Sequence, residues 1–142
     1  MIITQPKELI GQWVAQKQGR PEPWGNYTAI GLVEHDRLMA GVIYNNFGGA
    51  GVCAHISADR ITRPFLFAIF DYPFNQLNKR RITALVAKRN RRARRFVQKL
   101  GFNFEGNMRH ALADDDMLIF GLLKEDCRWH LPDFGKRYGS AA

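Results

Sequence analysis

The stretch from Arg81 to Phe102 constrains the fold more than any other part of the chain. Arg81–Ala87 reads as a strand of β-branched and apolar residues, and Asn90 marks the junction that follows it. Ala93, Phe96, Val97 and Leu100 then fall at i, i+3, i+4 and i+7, so one face of a helix over 91–100 must be buried. Gly101 is placed to end that helix in a left-handed conformation, with Phe102 just beyond it. The other faces carry Arg91, Arg92, Arg94, Arg95 and Lys99, and ten Lys or Arg but no acid lie between Lys79 and Lys99. Such a face is a solvated surface or an anion site, for cofactor phosphates or for a nucleic-acid backbone. Phosphate contacts carry affinity without sequence information, so charge alone does not separate these readings.

The rest of the chain extends this pattern. Residues 4–18 read as a first helix, with Thr4 as its cap, Pro6 and Lys7 in its first turn, and Leu9, Ile10, Trp13 and Val14 as its apolar stripe. Gly19–Gly25 is a loop. Tyr27–Glu34 and Leu38–Tyr44 form a hairpin around His35-Asp36-Arg37, and Gly51–Ser57 is a third strand. Thr62 and Pro64 open a helix carrying Leu66, Ile69, Phe70 and Leu77, whose regular part Pro73 must kink or end. Phe102–Arg109 and Met117–Leu123 make a last hairpin around Asp114-Asp115-Asp116. This order of elements implies an α/β fold (mixed α+β): one central mixed sheet with helices on both faces.

Composition narrows the class. With 142 residues, 46% hydrophobic content and six prolines, the chain supports one packed domain over 1–129 and a polar tail over 130–142. Cys53 and Cys127 have no CxxC partner and no histidine at zinc spacing, so no metal site is expected. No secretory signal and no apolar run near ~20 residues are seen, which favours a soluble cytoplasmic protein with no membrane partner. A net charge of +8 favours a polyanionic partner or a phosphorylated ligand.

The stretch Asn90-x-x-Ala93-x-x-x-Val97-x-Lys99-Leu100-Gly101-Phe102, preceded by a strand and followed by Glu105-Gly106, resembles the C-terminal half of the GCN5-related N-acetyltransferase superfamily. Within it the chain is most similar to the ribosomal-protein N-acetyltransferase-like branch and to small phage and prophage members. The resemblance implies acetyl-coenzyme A (acetyl-CoA) as cofactor, held where two central strands splay apart, and an amine acceptor. It implies cofactor contacts at Ile56, Ser57 and Ala58 for the pantetheine arm, and at Asn90 for the strand-end asparagine. Arg91 and Arg95 are implied near the nucleotide phosphates.

Two departures stand out. The family's glycine-bearing pyrophosphate loop corresponds here to Asp59–Phe65, which has no glycine and loses a donor at Pro64. Arg60, Thr62 and Arg63 are the residues expected to offset this. The tyrosine many members use to protonate the leaving thiolate is Val97 here. Tyr44 and Ser57 are substitute acids, and Glu34 and His55 are candidate bases for the amine. Trp24, Asn45, Asn46 and Phe47 lie in loops expected near the acceptor. The expected activity is acetyl transfer by direct attack of an amine. The alternative is a GNAT-fold accessory protein without chemistry, binding nucleic acid or a phage or host protein through its basic helix. A homodimer is left open.

Overall fold

The computed structural model describes residues 1–20 and 24–129; the centre of the expected loop before Gly25 and the tail over 130–142 lie outside the described residues. The elements in chain order are β1 (Ile2–Ile3), α1 (Lys7–Gln18), β2 (Tyr27–Glu34), β3 (Arg37–Asn45), β4 (Gly51–Ala58), α2 (Arg63–Asp71), β5 (Arg81–Ala87), α3 (Arg91–Leu100), β6 (Asn103–Met108) and β7 (Met117–Leu123). They build one seven-stranded sheet in the order β1-β2-β3-β4-β5-β7-β6, antiparallel except for β4 and β5. The α2 crossover makes that pair parallel, since antiparallel neighbours need only a short turn.

The first helix starts later than the sequence pattern suggests. Ile2 and Ile3 pair with Leu32 and Gly31 as an extra edge strand, so the chain is still extended where a cap at Thr4 would have to bend it. Pro6 occupies the cap position without a side-chain hydrogen bond, and Leu9 is half-exposed while Ile10, Val14 and Ala15 are buried. The buried stripe thus lies one step round from the expected one, because α1 meets the sheet at glycines. A Cβ at Gly41 would sit 2.9 Å from Val14 Cγ2 and 3.1 Å from Ile10 Cγ2. Gly31 lies opposite Gly41 in the β2–β3 register, and together they let the helix rest close on the strands. The β2–β3 hairpin turns through His35 and Asp36, both at positive φ (52° and 61°), the backbone twist that two-residue hairpins need.

On the opposite face, α2 and α3 cover one continuous core. Phe65, Leu66, Ile69 and Phe70 of α2 join Val97 and Leu100 of α3 over Ile30, Val42, Val52, Ile82 and Phe120. Thr62 caps α2, its hydroxyl accepting the Phe65 amide at 3.3 Å. α2 ends at Asp71 in a π-helical turn over Tyr72–Gln76, where Pro73 cannot continue regular α-helical bonding. α3 and its flanks match the sequence pattern closely: Asn90 caps it, accepting from the Ala93 amide at 3.1 Å, and Gly101 ends it at φ 109°. Helices thus lie on both faces of the sheet.

Candidate functional site: a notch between two central strands

Strands β4 and β5 start side by side and then part. Their pairing covers only Gly51–Ala54 against Arg81–Ala84. Beyond that point β4 continues to Ala58 on β3, and β5 continues to Ala87 on β7. From Ile56 to Ala58, β4 therefore turns toward the gap an edge with no strand partner. Backbone donors and acceptors left this way seek hydrogen bonds from a ligand or from water.

The gap widens into a cavity of about 490 Å³ that passes through the sheet. Ala54, Ile56, Leu85 and Val86 line its floor, and Asn90, Ala93 and Val97 of α3 form one wall. Gln18, Gly19 and Arg20 border it on the α1 side, with Leu112–Asp115 of the β6–β7 loop beside them. A second groove, of about 250 Å³, is lined by Ile56–Asp59 and by Asn90, Arg92, Phe96 and Lys17. Asn90, Ala93 and Ile56 border both, so the two spaces form one path.

The structure brings Ile56, Ser57, Ala58 and Asn90 together on this path. Arg91 and Arg95 lie elsewhere, in an outer depression with Arg94 and Gln98. The reason is helical geometry: at 100° per residue they fall opposite the buried Val97–Leu100 stripe, whereas Arg92 flanks it on the β4 side. The same helical wheel, applied to the sequence, leaves Arg92 and Arg94 on the two flanks of the stripe; packing turns the Arg92 flank toward β4. Lys17 had no such signal, because it arrives through the packing of α1 across β4; its Nζ holds both oxygens of Asp59 at 2.8 Å.

The loop before α2 places its polar groups as follows. The Asp59 and Arg60 amides both donate to the Met39 carbonyl, the Phe65 amide donates to Thr62, and Pro64 has no N–H. The Arg60 guanidinium pairs with Glu34, Nε to Oε1 at 3.0 Å. Glu34 and Arg60 thus neutralise each other at the end of the hairpin, away from the cavity walls. Thr62 is engaged as a helix cap, and Arg63 is the first residue of α2.

Tyr44 is fully buried on the α2 side, where its hydroxyl donates to the Ile69 carbonyl. Burial, reinforced by neighbouring Tyr72, pushes this phenol well above its usual 10. It does not line the notch, so the expected acid faces the core instead.

His55 faces the α1 side of β4 and is 93% buried, with 7% of its surface exposed. Its Nε2 lies 3.1 Å from Asn45 Oδ1, its Nδ1 lies 3.4 Å from Arg20 Nη2, and its ring sits 4.8 Å from Trp24. Asn45 in turn donates to the Trp24 carbonyl at 3.1 Å. Burial, and secondarily the Arg20 charge, bring the imidazole from 6.5 down to about 4. It is therefore neutral near pH 7. Arg20 can only donate, so Nδ1 is the acceptor and the proton sits on Nε2, facing Asn45. The lone pair a base would need is already occupied.

No family model matches the sequence, and no curated protein matches it. Solved structures do match. A dodecameric spermidine N-acetyltransferase from Vibrio cholerae aligns with TM-score 0.70 and 14% identity, over 88% of this chain and 94% of that one. The Vibrio cholerae spermidine N-acetyltransferase in complex with CoA and spermine aligns with TM-score 0.68 and 15% identity, over 89% and 96%. A structure described as a probable acetyltransferase aligns with TM-score 0.61 and 20% identity, over 70% and 62%. At these identities the likeness establishes the fold. This chain has the acyl-CoA N-acyltransferase fold.

Proposed function

We propose that this protein is an acetyl-CoA-dependent N-acetyltransferase that moves an acetyl group to an amine by direct attack. The observation that carries the proposal is the notch itself: one parallel strand pair that separates after four residues, leaving the Ile56–Ala58 edge along a cavity and its adjoining groove, whose walls come from both faces of the sheet. Such an edge suits an extended amide-bearing arm, which pairs with backbone as another strand would.

The residues present fit the cofactor. Ile56–Ala58 would pair with the arm, and Asn90 would border it at the start of α3. Arg92 would meet the phosphates, while Lys17 offsets the Asp59 carboxylate beside them. Side-chain cations thus substitute for the loop amides consumed by Met39 and Thr62. Bound there, the cofactor supplies an activated acetyl thioester. The amine would enter from the α1 side, between Arg20 and the Leu112–Asp115 loop. With the His55 lone pair held by Arg20 and the Tyr44 hydroxyl held by Ile69, solvent in this mouth would take the amine proton and would supply one to the thiolate released as the thioester C–S bond breaks. The Arg20–His55–Asn45–Trp24 chain fixes the wall of the entrance.

Calorimetric titration with coenzyme A tests the reading. Saturable binding is expected, weakened about tenfold by Arg92→Ala, the loss of one charge-assisted phosphate contact. No heat of binding at millimolar coenzyme A would overturn the proposal.

A further inference from the structure

The outer face of α3 is not used by the notch. Arg91, Arg94, Arg95 and Gln98 fall at i, i+3, i+4 and i+7 and line a depression of about 410 Å³ on the surface. Lys99 flanks this row. Of the neighbouring cations, Arg81 pairs with Glu105, Lys88 with Asp116 and Arg89 with Asp114, while Arg92 turns to the groove with no acidic partner among the described residues. Among the described residues, none of Arg91, Arg94, Arg95 and Lys99 forms an ion pair with an acidic side chain. Arg94 is partly pre-positioned, its Nη1 donating to the Lys88 carbonyl at 2.9 Å. The molecule keeps a row of unneutralised cations along a helix whose opposite side is buried core.

We infer that this face docks on the backbone of duplex DNA. Residues three and four apart on a helix present their side chains about 5–6 Å apart, so the row offers several regularly spaced contacts to a polyanion rather than one pocket for a single phosphate. The row carries no apolar or aromatic side chain, and Phe96 turns inward to the groove. Single strands are held largely by stacking on aromatic residues, which this face does not offer. A helix with its side chains is about 10–12 Å across, matching the ~12 Å major groove of B-form DNA, whereas the A-form groove is too narrow and deep. Binding of this kind reads no sequence. It rests on different residues from acetyl transfer.

Fluorescence anisotropy of the whole protein with a labelled 24-base-pair duplex tests this. Four phosphate contacts give a slope of log K against log salt near −3.6, a loss of roughly 150-fold between 50 and 200 mM salt. Arg91→Glu with Arg95→Glu should abolish binding at 100 mM salt, while Arg91→Lys with Arg95→Lys retains it. Both pairs are exposed, so melting temperature and coenzyme A binding should stay unchanged. The inference is overturned if the duplex is not bound at 50 mM salt or if the slope is shallower than about −2. Undiminished binding by the glutamate pair would overturn it too, as would equal affinity for a single strand of the same length.

Discussion

The buried histidine makes a quantitative statement about pH. In the unfolded chain His55 titrates near 6.5; in the fold, burial and Arg20 hold it at about 4. Its folded value is depressed, so the folded state resists protonation that the unfolded state accepts. The native advantage is complete above pH 6.5 and is lost as pH falls through 6.5 toward 4. A displacement of this size, at 1.36 kcal/mol per pH unit, destabilises the protein by roughly 3 kcal/mol between pH 7 and pH 4.

His55→Gln isolates the effect. Glutamine offers an oxygen to Arg20 and an amide N–H to Asn45 but has no proton to gain. Urea titrations from pH 7 to pH 4 should show the wild type losing about 3 kcal/mol relative to His55→Gln, whatever the initial offset. Acid loss from carboxylates is common to both proteins and cancels. Asp116, for one, is held below its usual value by the His110 amide and the Asn107 side chain. Parallel stability curves, or an NMR titration placing His55 at or above 6.5, would refute the reasoning.

Three further outcomes follow from the packing and the site. Gly41→Ala should lower stability by about 1–3 kcal/mol in thermal melts, because the new Cβ meets buried Val14 at 2.9 Å. Tyr44→Phe should cost about 1 kcal/mol by removing the buried hydrogen bond to the Ile69 carbonyl, with turnover at saturating substrate unchanged once the protein is folded. In an acetylation assay with a chosen amine, the rate should rise with pH along the ionisation of that amine. It should show no inflection between pH 5 and 7, since His55 is already neutral there.

Local order was legible because local rules govern it. The α3 segment shows this best: Asn90, the apolar stripe and Gly101 specify start, buried face and end within a dozen residues, and the structure follows each. Strand β5 matches its expected span, Thr62 caps α2, and Pro73 ends its regular part for the same reason. The resemblance to N-acetyltransferases gave the fold from a short motif, and solved structures of that fold align across most of the chain.

What the sequence left open depended on contacts between distant residues. Two residues at the start of the chain carry no strand periodicity, so β1 appears only once β2 presents its edge. Lys17 reaches the groove because α1 crosses β4, forty-two positions away at Asp59. Glu34, Tyr44 and His55 were chemically sound candidates, but burial and partners decide what such groups can do: Arg60 holds the first, the Ile69 carbonyl the second, and Arg20 and Asn45 the third. The sequence by itself determined the elements from α1 to β7, their order and a basic helix, but not the edge strand β1. Only the tertiary structure decided which face of that helix borders the notch, because side-chain direction follows from packing against a sheet that no local pattern encodes.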